Sequence, residues 1–171
     1  DGMRRQIFSL FAVLALVQEY GVRVETVAAL MFANQLLCLP LAPLAGWLVD
    51  RVGSKRVLTA YFAMVALVCL LYASITDVRL LFAIYMLDNA LFMLRVGVAV
   101  YANSIVRPGE RTRLMALGTT MNHIGAVALP AIGGALYATY GYRLPFYAGA
   151  CIAVVSVALV QRMPARRLRV Q

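Results

Sequence analysis

Long stretches of this chain are apolar on every side, and its polar residues gather in short clusters between them. Six such stretches stand out, at about 7–20, 26–49, 57–75, 80–106, 114–140 and 145–161. Strands of a membrane barrel would alternate apolar and polar side chains with a period of two. These runs stay apolar for far longer, so helices are expected. A helix satisfies its own backbone N–H and C=O groups, as a segment in hydrocarbon must. About 20 apolar helical residues cross the roughly 30 Å of a bilayer core. The pattern predicts an all-α membrane protein with six transmembrane helices, the first of them the shortest. The links at 21–25, 50–56, 76–79, 107–113 and 141–144 are brief. Short links make antiparallel neighbours in a bundle, so residues 1–171 are expected to form a single six-helix bundle.

A faint repeat runs through the pattern. A shift of 88 residues lays Asn34 on Asn122, Leu41 on Leu129, Gly46 on Gly134, Leu48 on Leu136, Gly53 on Gly141 and Lys55 on Arg143. It superimposes the second helix of the first three on the second helix of the next three, and these cross the membrane in opposite senses. That is the arrangement of an inverted 3+3 repeat, as built into secondary transporters.

Composition narrows the class. The chain is 63% hydrophobic and 13% charged, against about 45–50% and 25% for soluble domains. A soluble domain of this size has too little interior to hide so much apolar side chain. A cytosolic enzyme, a disordered tail and a disulfide-rich module are thereby excluded. Cys38, Cys69 and Cys151 sit inside apolar runs with no metal-ligand or disulfide spacing. No GxSxG turn, Walker loop or HExxH is present. No enzyme, metal or cofactor is expected, and a pump of this kind would run on an ion gradient. The chain starts at Asp1 without a signal peptide and reads as a piece of something longer.

The net charge of +9 adds orientation. The basic residues lie between apolar runs and form no stripe interleaved with aromatics, so anionic lipid rather than nucleic acid is the expected partner. Twelve of the 16 Lys and Arg fall at the two ends and in the links 50–56 and 107–113, and three, Arg23, Arg79 and Arg143, fall on the other side. Basic excess marks cytoplasmic loops. Both termini are expected in the cytoplasm, with the protein in the cytoplasmic (inner or plasma) membrane.

The sharpest motif is Gly46-Trp47-Leu48-Val49-Asp50-Arg51-Val52-Gly53-Ser54-Lys55-Arg56. Gly46 allows close helix approach, and Gly53 permits a tight turn. Asp50 is an acid able to meet the free N–H groups of a helix N-terminus. Arg51, Lys55 and Arg56 hold the link on the cytoplasmic side and are able to pair with acids such as Glu110. The order G-x-x-x-D-R-x-G-x-[KR]-[KR] closely resembles the cytoplasmic-loop signature of the major facilitator superfamily, which joins the second and third helices of each six-helix half. Ser54 stands where that family usually has a basic residue, a departure more usual in its second half. A second run, Gly125 to Gly134 with Pro130, Gly133 and Gly134, is similar to the family's Gly-Pro-x-x-Gly-Gly antiporter helix, with Leu129 where that motif has a glycine. Pro130 removes a backbone hydrogen bond and kinks its helix. Together with Met121-Asn122-His123-Ile124 and the basic tail Pro164–Gln171, this run points to a C-terminal half.

The resemblance implies half of a twelve-helix secondary transporter, with a small-molecule substrate bound between two halves and coupling to H+; import and export both stay open, with the Pro130 helix leaning toward export. Its partner would be the other six-helix half, or a second copy of this chain. In the family the first and fourth helices of each half line the cavity. Asp88 and Arg95 fall on the fourth stretch, seven residues apart, which puts them about 20° apart around an ideal helix. Phe92, Ala99 and Ala102 share that face, with Asn103 at its margin. Glu19, beside Gln18, falls on the first stretch. Charged groups inside a membrane usually face a watery path, so Asp88, Arg95 and Glu19 are candidates for the substrate or proton pathway. His123, on the fifth stretch, adds an imidazole suited to proton relay. Two other functions remain open: a half-size transporter acting as a homodimer, and a non-transporting assembly or scaffold module.

Overall fold

The computed structural model describes the backbone of residues 2–105 and 108–162, and the side chains of 8–102, 109–128 and 130–162. Arg107 and the tail Pro164–Gln171 lie outside the described residues, as do the side chains of Arg4, Arg5, Asn103 and Leu129. The described chain is helical almost throughout. In order it forms α1 (Gly2–Gln18), α2 (Val24–Val52), α3 (Ser54–Ser74), α4 (Val78–Phe92), α5 (Val96–Ile105), α6 (Arg111–Tyr140) and α7 (Arg143–Gln161). Short 3₁₀ turns at Met93–Arg95 and Pro108–Glu110 precede α5 and α6.

Two glycines make the sharpest corners. Gly53 has φ +93° and Gly141 φ +81°, values that cost a side chain but not a glycine. Gly53 closes α2 by donating its N–H to the carbonyl of Val49 at 2.9 Å, and its own carbonyl accepts from Val57 at 3.2 Å in the first turn of α3. One residue thus ends one helix and starts the next. At the opposite end of the bundle, Asp77 caps α4 by accepting from the backbone N–H of Arg79 at 2.8 Å.

Among the described residues, four helical stretches are long and apolar enough to cross a membrane: Val24–Val52, Ser54–Ser74, Val78–Ala102 and Arg143–Gln161. The side-chain-described part of α1, Phe8–Gln18, is shorter than a span. α6 has the length, but Thr119, Thr120, Asn122, His123 and its glycines dilute its apolar character. The expectation at 80–106 needs correction. It is one apolar stretch but not one α-helix, because the backbone tightens to 3₁₀ geometry at Met93–Arg95. Three residues at 3.0 rather than 3.6 per turn advance the helical phase by roughly 60°. The offset between Asp88 and Arg95 therefore passes from about 20° on one side to about 40° on the other, which leaves both within one face of the stretch.

α3 is the most enclosed of the candidate spans and α2 the least. α3 packs most extensively on α7, and also on α4 and α5, while α1 packs on α6 and α7, and α2 on α4. An aromatic cluster fills the centre. Tyr72 of α3 and Phe146 of α7 approach to 4.6 Å between ring centroids. Phe8 of α1 meets both edge-on, at 5.2 and 5.8 Å, and stacks on Tyr85 of α4. The Tyr72 hydroxyl donates to the carbonyl of Ala12 at 3.1 Å, so a fully buried phenol keeps its hydrogen bond. Lipid is as apolar as the helices, so such close packing and internal hydrogen bonds, more than burial, hold a bundle of this kind together.

Candidate functional site

Of the charged residues expected in the pathway, Asp88 is the one the fold encloses. It stands on α4 with only 3% of its surface exposed, in a buried stripe with Leu81, Ile84 and Tyr85 at helical spacing. Arg95, in the 3₁₀ turn, is half-buried, and its guanidinium lies 5.3 Å from the centre of the Phe92 ring. Such a cation over an aromatic face is electrostatically favourable. Of the expected neighbours, Phe92 and Ala102 are half-buried and Ala99 is exposed.

Glu19 and His123 are both exposed. Glu19 lies just beyond α1, where its carboxylate accepts a long hydrogen bond, 3.5 Å, from the Tyr137 hydroxyl of α6. His123 occupies the outer surface of α6. The structure does not bring Asp88, Glu19 and His123 together.

The loop motif has a definite shape. Asp50 is exposed and makes no hydrogen bond or ion pair to a described residue. Arg51 lays its guanidinium 5.0 Å over the Trp47 ring. The Lys55 ammonium donates to the Gln161 carbonyl at 2.8 Å, at the carbonyl end of α7, where helix-dipole attraction favours a cation. Gln161 answers with its side chain, donating to Thr59 at 3.2 Å. Ser54 is buried and Arg56 exposed. Among the described residues Glu110 pairs with none of Arg51, Lys55 and Arg56, which corrects that expectation; the Lys55 ammonium is drawn instead to a helix terminus. Gly46 has open space where a side chain would stand, so no described helix approaches it closely.

In α6, Gly125 is buried, while Pro130, Gly133 and Gly134 are half-buried. Gly133 is a close-contact glycine: a Cβ there would stand 2.5 Å from Cζ and 2.7 Å from Cε2 of Phe11. A Cβ on Gly134 would meet nothing within 4 Å.

Several polar placements are absent from the sequence reading. Asn34 of α2 is buried at 4% exposure, and its side-chain carbonyl oxygen has no hydrogen-bond partner. A polar residue in the middle of an apolar stretch, in helical register with Val27, Cys38 and Ala45, was the available signal. At the Gly141 end, Tyr20 and Tyr142 share a hydrogen bond between hydroxyls at 2.8 Å. Tyr20 also donates to the carbonyl of Ile75 at 3.4 Å, and Arg143 donates to the Tyr142 oxygen at 3.4 Å. Burial, then the bond to Tyr142, pushes the Tyr20 phenol up to about 12. This clasp joins the link after α1 to the ends of α3 and α7. An apolar groove of about 270 Å³ lies between α2 and the 3₁₀ turn, lined by residues that include Leu41, Trp47, Leu91 and Leu94.

A family model described as Major Facilitator Superfamily matches residues 1–170. The chain is 28% identical over 136 residues to the probable vesicular acetylcholine transporter-B of Danio rerio, an alignment that covers 78% of this chain and 28% of that protein. It is 27% identical over 136 residues to the vesicular acetylcholine transporter of Homo sapiens, covering 78% of this chain and 26% of the relative. The chain spans little more than a quarter of the length of the curated relatives it matches.

Proposed function

The chain belongs to the major facilitator superfamily, and on that premise we propose that it forms one six-helix half, the C-terminal one, of a twelve-helix secondary transporter working by alternating access. The packing supports an inverted 3+3 repeat. Exchange α1 with the α4–α5 stretch, α2 with α6 and α3 with α7, and each main contact turns into another. The pair α1 and α6 becomes α4 and α2; α1 and α7 becomes α4 and α3; α3 and α7 maps onto itself. The other half would cover the exposed apolar faces of α2 and α6, which include Leu36, Trp47, Ile124 and Val127. The uneven distribution of Lys and Arg supports cytoplasmic termini, because basic loops stay on that side.

Transport would be coupled to protons. The observation that carries this reading is the enclosure of Asp88 in an apolar helix. A carboxylate is costly inside a membrane, and where one occurs it usually serves an ion or substrate path. Protonation cancels its charge and so shifts the balance between conformations. Glu19 is the second proton acceptor in this reading and His123 the third, with Arg95 as the fixed charge beside the path. Asp50, exposed at the end of α2, would dock on a helix N-terminus of the other half and latch the outward-open state. The Pro130-Gly133-Gly134 pattern of α6 supports an exchanger that exports its substrate. The relatives are named for acetylcholine, which makes acetylcholine the first probe for a small organic cation.

The test is reconstitution of the full-length carrier with Asp88→Asn. Radiolabelled acetylcholine is followed in two modes, exchange without a gradient and accumulation on an imposed proton gradient. Exchange should persist while gradient-driven accumulation is lost. Accumulation at the wild-type rate would remove Asp88 from coupling.

A further inference from the structure

The groove between α2 and the 3₁₀ turn has a cation at one end. Nine residues line it, all of them apolar, and two, Ala45 and Ala90, are small enough to leave a recess between the leucines. α2, α3 and α4 follow one another through short links, so α2 and α4 run in the same direction, and they pack together. Their register is set by the Cys38 thiol, which reaches the Asn89 carbonyl at 3.8 Å. Every lining residue, from Leu41 to Leu48 on α2 and from Ala90 to Leu94 opposite, comes after that contact. The groove therefore runs toward the end of the bundle that carries the link 50–56. Leu48 stands only about 4.5 Å along α2 from Arg51. The Arg51 guanidinium lies 5.0 Å over the ring of Trp47, itself a lining residue. Arg51 is exposed and makes no ion pair to a described acid.

We propose that the groove holds one acyl chain of an anionic phospholipid, whose phosphate meets Arg51. Size favours a single hydrocarbon chain over a protein helix. Two turns of helix, about 11 Å long and about 10 Å across, occupy on the order of 800 Å³, and the groove offers about 270 Å³. Charge selects the headgroup. The link 50–56 carries Arg51, Lys55 and Arg56 against the one acid Asp50, and basic residues beside a membrane surface attract anionic lipid. Trp47, beneath Arg51, has the amphipathic ring that settles at headgroup level. No lining residue is acidic, so the groove has nothing to hold an organic cation.

The lipid would give α2, the least enclosed candidate span, a second surface to pack on, and would tie its end to the 3₁₀ turn. In the twelve-helix reading the other half covers the outward side of Trp47, and the acyl chain fills the recess behind it. Asp88 is not among the lining residues, so lipid binding stands or falls separately from proton coupling.

The experiment uses Trp47, the single tryptophan of this chain, as the reporter. The full-length carrier is reconstituted in phosphatidylcholine vesicles with rising fractions of phosphatidylglycerol or phosphatidylcholine brominated in the acyl chains, which quench a tryptophan they touch. The Trp47 signal is the emission missing from Trp47→Phe. Brominated phosphatidylglycerol should reach half-maximal quenching at about one-fifth the fraction that brominated phosphatidylcholine needs, the worth of one basic residue at an anionic surface. Arg51→Gln should abolish that preference and Arg51→Lys keep it. Ala90→Phe, which fills the recess from the α4 side, should weaken quenching by phosphatidylglycerol without touching Arg51. Equal quenching by the two lipids in the wild type, a preference that survives Arg51→Gln, or quenching unchanged in Ala90→Phe overturns the proposal. So does the absence of quenching by either lipid, which would mean that the other half fills the groove.

Discussion

Phe11 of α1 occupies the space that a side chain on Gly133 of α6 would need, with its ring edge 2.5 Å from the position of that missing Cβ. Phe11 is itself fully buried and stacks on Tyr137, so its ring has little room to retreat. Gly133→Leu should destabilise the protein by about 1–3 kcal/mol, the usual cost of overpacking. Gly134→Ala should be close to neutral, because nothing lies within 4 Å of its added methyl. Melting of both variants of the full-length carrier in detergent tests this. Equal stability would mean that α1 and α6 do not meet at Gly133.

Asp50 and Lys55 belong to one motif but should fail in different ways. The Lys55 bond to Gln161 lies within this bundle, so Lys55→Met should lower stability, by about 0.5–2 kcal/mol for a charged group at a helix terminus. Asp50 has no described partner to lose, so Asp50→Asn should leave melting unchanged and slow transport several-fold through its weaker hold on the other half. Melting and transport rate at matched expression separate the two. A drop in stability with Asp50→Asn would place its partner inside this bundle.

The clasp at the far end gives a pH prediction with a definite sign. The Tyr20 phenol titrates at about 12 when folded against 10.0 for an ordinary tyrosine. The folded state therefore holds its proton more tightly. The associated stability is complete below pH 10, and is lost as pH climbs toward about 12. Across neutral pH, Tyr142→Phe should cost about 0.5–1.5 kcal/mol, the worth of one hydrogen bond, and the difference from wild type should be flat. A difference that varied between pH 6 and 8 would mean that a group other than Tyr20 senses the lost hydroxyl.

Helix placement was largely legible because lipid demands unbroken apolar runs, and the glycines at 53 and 141 stand where the backbone needs a positive φ. The 3₁₀ turn at Met93–Arg95 was not legible, since Met, Leu and Arg all favour ordinary helix and no proline or glycine marks the change. Only the tertiary setting reveals it, and it turns Arg95 relative to Asp88 without moving the two onto different faces. Gly133 and Gly134 look alike in sequence; the choice between them depends on where Phe11, more than a hundred residues earlier, comes to rest. The Tyr20–Tyr142 bond is hidden for the same reason. The two tyrosines stand 122 residues apart, and a pattern of residue types carries no record of their pairing.

The bond between Lys55 and Gln161 spans 106 residues and so sets a schedule for biogenesis. α3, the most enclosed of the candidate spans, finds its main packing surface on α7, the last helix described. At synthesis rates of about 5–20 residues per second, a ribosome needs roughly 5–20 s to travel from one to the other. Throughout that interval the inward face of α3 has no helix to lie against except those already made. Lipid, the translocation machinery or a chaperone must shield it until α7 emerges. A nascent chain halted before α7 should accordingly be a target for membrane quality control, and completion of the final helix the event that releases it.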